Sequence, residues 1–141
     1  MENPLRDAQI VRAFLDATMV PDPVAASAFL APGASITFTG GRAFEHAADI
    51  ASFNAQRYRW VKKRQTRTDV APGQDTTVVY NTGTLYGEWP DGTPFEGNRY
   101  IDRFEVRDGL IISMEVWNDS AERLLTLHRI QACSAASGKG F

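Results

Sequence analysis

Near the start of the chain, apolar residues recur at intervals of three and four. Ile10, Val11, Phe14, Leu15 and Thr18 fall on one face, with Arg6, Asp7, Arg12 and Asp16 mostly elsewhere, which predicts a helix over about residues 5–19. Pro21-Asp22-Pro23 then interrupts the chain. Asp22 is placed to cap a second helix, with Pro23 in its first turn and Val24, Ala25, Ala28, Phe29 and Leu30 along it, up to Pro32-Gly33. Residues 35–39 alternate with period two and are β-branched or aromatic at most positions, a short strand closed by Gly40-Gly41. From about 45 to 60 a helical pattern returns, and Ala47, Ile50, Ala51, Asn54 and Tyr58 share its inner face.

After Val61 the pattern becomes that of strands: 65–70, 76–89, 97–107 and 110–117. The turn Pro90-Asp91-Gly92-Thr93-Pro94 ends the second of them. Asp108-Gly109 joins the last two and fits a type I′ turn, which needs positive φ at both central residues. Asp119, with Glu122 three residues on, starts a final helix carrying Leu124, Leu125, Leu127, His128 and Ile130. Helices segregated from a meander of strands predict an α+β fold, a curved antiparallel sheet wrapped around three helices. Such a cone leaves a hollow, and a hollow is the usual small-molecule site.

A length of 141 residues suits one core, read as a single domain over 1–133 and a flexible, small and polar tail over 134–141. Fifteen basic against 17 acidic residues give a net charge of −2 and no nucleic-acid footprint; the basic cluster at 57–67 reads as a solvated segment. No secretory signal starts the chain and no stretch approaches the ~18 apolar residues of a membrane span, so a cytoplasmic protein without a membrane partner is expected. One cysteine, Cys133, precludes an intramolecular disulfide. It sits with His46 and His128 at unrelated spacing, and Gly40-Gly41 opens no phosphate-binding fingerprint, so neither metal nor cofactor is expected.

The stretch from Tyr100 to Trp117 contains Ile101-Asp102-Arg103-Phe104, a Gly109 turn and a strand ending in an aromatic. It resembles the closing hairpin of the nuclear transport factor 2-like superfamily, in particular its ketosteroid isomerases and SnoaL-like polyketide cyclases. The resemblance implies a cone-shaped fold and a pocket, but the superfamily hosts several chemistries as well as non-catalytic binders. By this comparison Asp102 matches the isomerase aspartic acid that stays protonated and donates to a substrate oxyanion. Phe14 stands where the isomerase's oxyanion tyrosine would be, and Phe38 where its general base would be. Phenylalanine neither donates to an oxyanion nor takes a proton, so steroid isomerisation by that mechanism is not expected. The acidic residues of limonene epoxide hydrolases and SnoaL-like cyclases on the last strand are matched by Val116 and Asn118, and the two pocket histidines of scytalone dehydratases have no counterpart.

Strand periodicity alone separates two faces. Asn98, Tyr100, Asp102, Phe104 and Val106 share the inner side of one strand; Ile112, Met114, Val116 and Asn118 that of the next. Asp102, the candidate catalytic residue, therefore faces a hollow lined by Phe14, Phe38, Asn54, Tyr58, Tyr100, Phe104, Met114, Val116 and Asn118. No Lys or Arg shares its face, so desolvation should raise its pKa; Asn118, Tyr100, Asn54 and Tyr58 are the candidate partners. It either serves a ligand or satisfies a buried hydrogen-bond network. The functional expectation is an acid/base isomerase, cyclase or dehydratase acting on a small hydrophobic ring or polyketide-like compound. The alternative is a non-catalytic hydrophobic-ligand binder or a dimeric association domain. Outward Ile101, Ile111 and Trp117 predict a homodimer formed through the sheet.

Overall fold

The computed structural model describes residues 3–138. Helix α1 (Pro4–Met19) is capped by Asn3, whose side chain accepts from the Arg6 amide, and it buries Val11, Phe14 and Leu15. Helix α2 (Pro23–Ser27) is capped by Asp22, which accepts from the Ala25 amide at 3.0 Å. It ends sooner than its apolar spacing predicts, because strand β1 (Leu30–Phe38) already begins at Leu30, which lies opposite Ile111. The Ile111 amide donates to the Phe29 carbonyl at 2.8 Å, so long-range pairing overrides local helical preference there.

A turn over Thr39–Gly41 leads to a short strand, β2 (Arg42–Phe44), that was not visible in the hydropathy pattern. Helix α3 (Ala47–Arg57) is followed by strands β3 (Trp60–Pro72), β4 (Thr77–Glu88), β5 (Pro94–Arg107) and β6 (Leu110–Asn118), then helix α4 (Ser120–Gly138). Helix α4 thus takes in residues 134–138 of the expected tail; 139–141 lie outside the described residues. The strands form one sheet in the order β2-β1-β6-β5-β4-β3. Four of its pairings are antiparallel, but β1 runs parallel to β6, an exception to the expected all-antiparallel sheet. The β5–β6 turn has Asp108 at φ 52° and Gly109 at φ 77°, as a type I′ turn requires.

Two glycines let β3 approach β4 closely. Gly83 lies opposite inward-facing Tyr100, and a Cβ on it would stand 1.9 Å from the Arg64 carbonyl oxygen; one on Gly87 would stand 2.1 Å from that of Trp60. With no side chain at either position, the backbone of β3 packs against that of β4, and its pairing shifts between Gln65 and Arg67. Lys63 on this edge strand pairs with Leu85.

The main core gathers Val11, Phe14, Leu15, Ile36, Val79, Phe104, Val106, Met114 and Val116, with Phe14 edge-on to Phe104 at 6.0 Å. Ile111 belongs to it as well, fully buried. This corrects the outward placement expected for that residue. The β5–β6 register shifts so that Glu105 faces Ser113 while Val106 faces Ile111, leaving Ile112 as the extra residue of a bulge. One inserted residue inverts the parity of every side chain before it. A second cluster joins Tyr58, Leu85, Trp89, Phe95 and Tyr100, in which Trp89 stacks on Phe95 at 4.3 Å and on Tyr58 at 5.6 Å. Among the described residues no helix is long and apolar enough to cross a membrane.

Candidate functional site

Asp102 sits in the middle of β5, between Asn81 on β4 and Val116 on β6, and is fully buried. Its partner is a cation, contrary to the expectation that none shares its face. Lys63 projects inward from β3, and its Nζ donates to Asp102 Oδ2. The same ammonium lies 4.5 Å from the centre of the Tyr100 ring, a cation–π contact. Lys63 retains 16% side-chain exposure, whereas Asp102 retains none, so the amine is the part of the pair that meets the hollow. Asp102 Oδ1 is buried without a hydrogen-bond partner. Burial pushes the Asp102 carboxyl above its ordinary pKa of 3.8, and the Lys63 ammonium pulls in the opposite sense without overcoming it.

Three of the expected partners of Asp102, Tyr100, Tyr58 and Asn118, are engaged elsewhere. The Tyr100 hydroxyl donates to Asn81 Oδ1 at 2.6 Å, and Asn81 Nδ2 donates in turn to Gln65 Oε1 and Thr68 Oγ1. Gln65 Nε2 reaches Asp16 on α1 at 2.8 Å, so this chain of polar groups ties β5, β4 and β3 to the first helix. The Tyr58 hydroxyl donates to Ser120 Oγ at 2.6 Å, Asn98 Nδ2 donates to the same oxygen at 3.3 Å, and Asn118 Oδ1 accepts from the Ser120 amide. Burial raises the pKa of both phenols, that of Tyr100 further through the neighbouring Asp102 charge, so they are neutral at physiological pH.

Between helices and sheet is a cavity of about 40 Å³ open to the centre of a water molecule. Of the side chains proposed from sequence, Phe38, Asn54, Tyr58, Tyr100, Met114, Val116 and Asn118 line it. Phe14 and Phe104 do not; they lie in the packed core, and Asp102 meets the cavity through Lys63. The lining also includes Thr18, Met19, Ile50, Val61, Lys62, Lys63 and Leu85. A vestibule of about 180 Å³ adjoins it and shares Thr18, Met19, Asn54, Tyr58, Val61 and Lys62. Met19 stands where the two meet, and its Sδ accepts from the Lys63 amide at 3.0 Å, fastening the end of α1 to the free edge of β3. The arrangement is thus a largely apolar hollow with Lys63 in its wall, backed by Asp102, with Lys62 at its rim and neutral phenol and amide groups around it. Among the described residues no group of His, Cys, Asp and Glu could hold a metal.

Lys63 is the residue that sequence reasoning missed. The signal was the alternation Val61, Lys63, Gln65, in which a lysine occupies an inward position of a strand.

Comparison with known structures returns the same architecture. A nuclear transport factor 2-like protein of unknown function from Burkholderia pseudomallei K96243 superposes with a TM-score of 0.69 at 16% identity, covering 84% of this chain and 95% of that one. A SnoaL-like polyketide cyclase candidate from Jannaschia sp. CCS1 gives 0.65 at 18% identity, over 88% and 94% of the two chains. TerC, co-crystallized with polyporic acid, gives 0.64 at 16% identity, over 83% and 94%. No curated protein matches the sequence. The SnoaL-like domain model matches residues 11–114, a span from the first turns of α1 to the middle of β6 that contains both Lys63 and Asp102. Its cone of helices and curved sheet is the fold of the nuclear transport factor 2-like structure, and by the domain match the chain belongs to the SnoaL-like family.

Proposed function

We propose that the hollow binds a small hydrophobic ring or polyketide-like molecule through a carbonyl or enol oxygen, and that the Lys63–Asp102 pair moves a proton there. An isomerase, cyclase or dehydratase step would all use such a transfer. The observation that carries this reading is the Lys63–Asp102 ion pair, whose ammonium end stands in the wall of the cavity while its carboxylate is fully buried behind it. A titratable group perturbed by desolvation and a specific charge partner beside a cleft is a candidate functional group. An ammonium aimed at the ligand oxygen stabilises the charge that develops as an enolate forms, and does so best where water is excluded. Asp102 beneath it holds the ammonium in place and exchanges a proton with it. Walls such as Phe38, Met114 and Val116 suit a ring, and Asn54 or Asn118 can meet a second oxygen. Polyporic acid in TerC is in keeping with a cyclic oxygenated ligand. A ring exceeds the 40 Å³ now open, so binding requires Met19 to yield and join the cavity to its vestibule.

The test uses 2-naphthol, whose oxyanion absorbs differently from the phenol. Bound naphthol should ionise more readily than free naphthol, and Lys63→Met should abolish that shift. Unshifted naphthol would contradict the reading. Deuterium exchange at the α-carbon of a small cyclic ketone, followed by NMR, separates an enzyme from a binder. Exchange accelerated by the wild type and lost in Lys63→Met indicates catalysis, and oxyanion binding without acceleration indicates the non-catalytic module.

We also propose a homodimer through the convex sheet face, where Ile101 and Trp117 are cross-strand partners, 40% and 48% exposed. Ile111, being in the core, takes no part. Sedimentation should give a dimer that Trp117→Asp converts to a monomer; a wild-type monomer at micromolar concentration would refute it.

A further inference from the structure

We infer that Lys63 is a carbonyl-reactive amine, forming an imine with a small aldehyde or ketone in the hollow while Asp102 relays the protons. The inference rests on the pocket reading above and adds covalent chemistry to it.

Its basis is how this ion pair differs from a structural one. A buried pair that serves only the fold has its remaining lone pairs satisfied, because the desolvation of both ions is otherwise uncompensated. Here Asp102 Oδ1 has no partner, and Lys63 stands in a cavity wall with Leu85, Met114 and Val116 among its lining. Burial raises the proton affinity of the Asp102 carboxyl, and its Oδ2 accepts directly from Nζ, so it is placed to take a proton from the amine. A desolvated lysine with a base at hydrogen-bond distance is the arrangement an amine nucleophile needs. The Tyr100 ring face, 4.5 Å from Nζ, favours a cation there and so favours the protonated imine as it favours the ammonium.

The steps balance without another reagent. The ammonium gives one proton to the Asp102 carboxylate. The amine lone pair then attacks the carbonyl carbon; the C–N bond forms and the carbonyl π pair moves to oxygen. A proton passes from nitrogen to that oxygen, giving a neutral carbinolamine. The C–O bond breaks as the Asp102 proton goes to the departing hydroxyl, and water leaves. The nitrogen lone pair completes the C=N bond, and a protonated imine remains beside the regenerated carboxylate.

The chain carries its own control. Its lysines are Lys62, Lys63 and Lys139; Lys62, next to Lys63 on the same strand, is exposed and stands at the rim of the same cavity, so it controls for access to the reagent. The whole protein is incubated with propanal and cyanoborohydride at pH 7, which reduces an imine as it forms, and is then digested for mass spectrometry. Lys63 should be propylated on the order of tenfold faster than Lys62, because it has the Asp102 carboxylate at hydrogen-bond distance to take its proton. Lys63→Arg, which keeps the charge, should lose that adduct and leave Lys62 labelling unchanged. Protein that ionises 2-naphthol yet labels Lys63 no faster than Lys62 overturns the covalent inference and leaves the proton-transfer reading in place. Failure of both probes removes both.

Discussion

Replacing Lys63 by Met keeps an unbranched apolar stem of similar reach and removes the cation, so it isolates what the ion pair does for the fold. Asp102 is then fully buried with no charge beside it. Truncating one member of a buried pair costs about 3–5 kcal/mol, because the other charge is left uncompensated. A carboxyl has an escape, since it can take up a proton. From an ordinary pKa of 3.8, neutralising it costs about 1.36 kcal/mol per pH unit, which comes to roughly 1.6 kcal/mol at pH 5 and roughly 5.7 kcal/mol at pH 8. The deficit of Lys63→Met against the wild type should therefore be about 3–5 kcal/mol at pH 8 and no more than about 1.6 kcal/mol at pH 5. The sign follows from linkage: a carboxyl whose pKa is higher folded than unfolded binds its proton more tightly in the native state. Its contribution is complete below about pH 3.8 and is lost as pH rises through the folded value. Lys63 is what draws that folded value down, so its removal steepens the loss. Urea unfolding followed through Trp89, which is buried against Tyr58 and Phe95, gives the two stabilities. The double variant Lys63→Met/Asp102→Leu should recover most of the deficit. A deficit independent of pH, or no recovery in the double variant, would refute the reasoning.

Three further outcomes follow from the same geometry. Gly83→Ala should cost at least about 2 kcal/mol, because its Cβ meets backbone oxygen and β3 must lift; 2-naphthol binding should fall with it, since β3 carries Lys63, and thermal melts with titration check both. Tyr58→Phe should lower stability by about 1–2 kcal/mol through the lost bond to Ser120, read by thermal unfolding. The protein should not isomerise Δ5-3-ketosteroids, because Phe14 is sealed in the core and Phe38 offers neither acid nor base; an absorbance assay decides this, and efficient turnover would overturn it.

Much of this arrangement was legible in the sequence where periodicity was clean. The spacing of Val11, Phe14 and Leu15 places α1 against the sheet, and alternation through Tyr100, Asp102 and Phe104 points Asp102 inward. The Asp108-Gly109 turn fixes the hairpin. What stayed hidden depends on events that alternation does not record. The bulge at Ile112 reverses the parity of Ile111, and the parallel β1–β6 pairing begins where Phe29 and Leu30 continue a helical spacing. Lys63 was the costliest omission. In the run Lys62-Lys63-Arg64 each residue by type reads as solvent-facing, and only strand alternation from Val61 puts the middle one on the less exposed side. An inward cation is chosen by its buried carboxylate across the sheet, a pairing separated by 39 residues.

The central claim, that Lys63 and Asp102 together form the ligand-facing floor of the hollow, is tested most directly by a crystal structure of the protein with 2-naphthol. The ring should lie between Phe38, Met114 and Val116, its oxygen about 2.7–3.0 Å from Lys63 Nζ, with Lys63 still paired with Asp102. Naphthol bound with its oxygen away from Lys63, or Lys63 turned to solvent with Asp102 alone beneath the cavity, would contradict it.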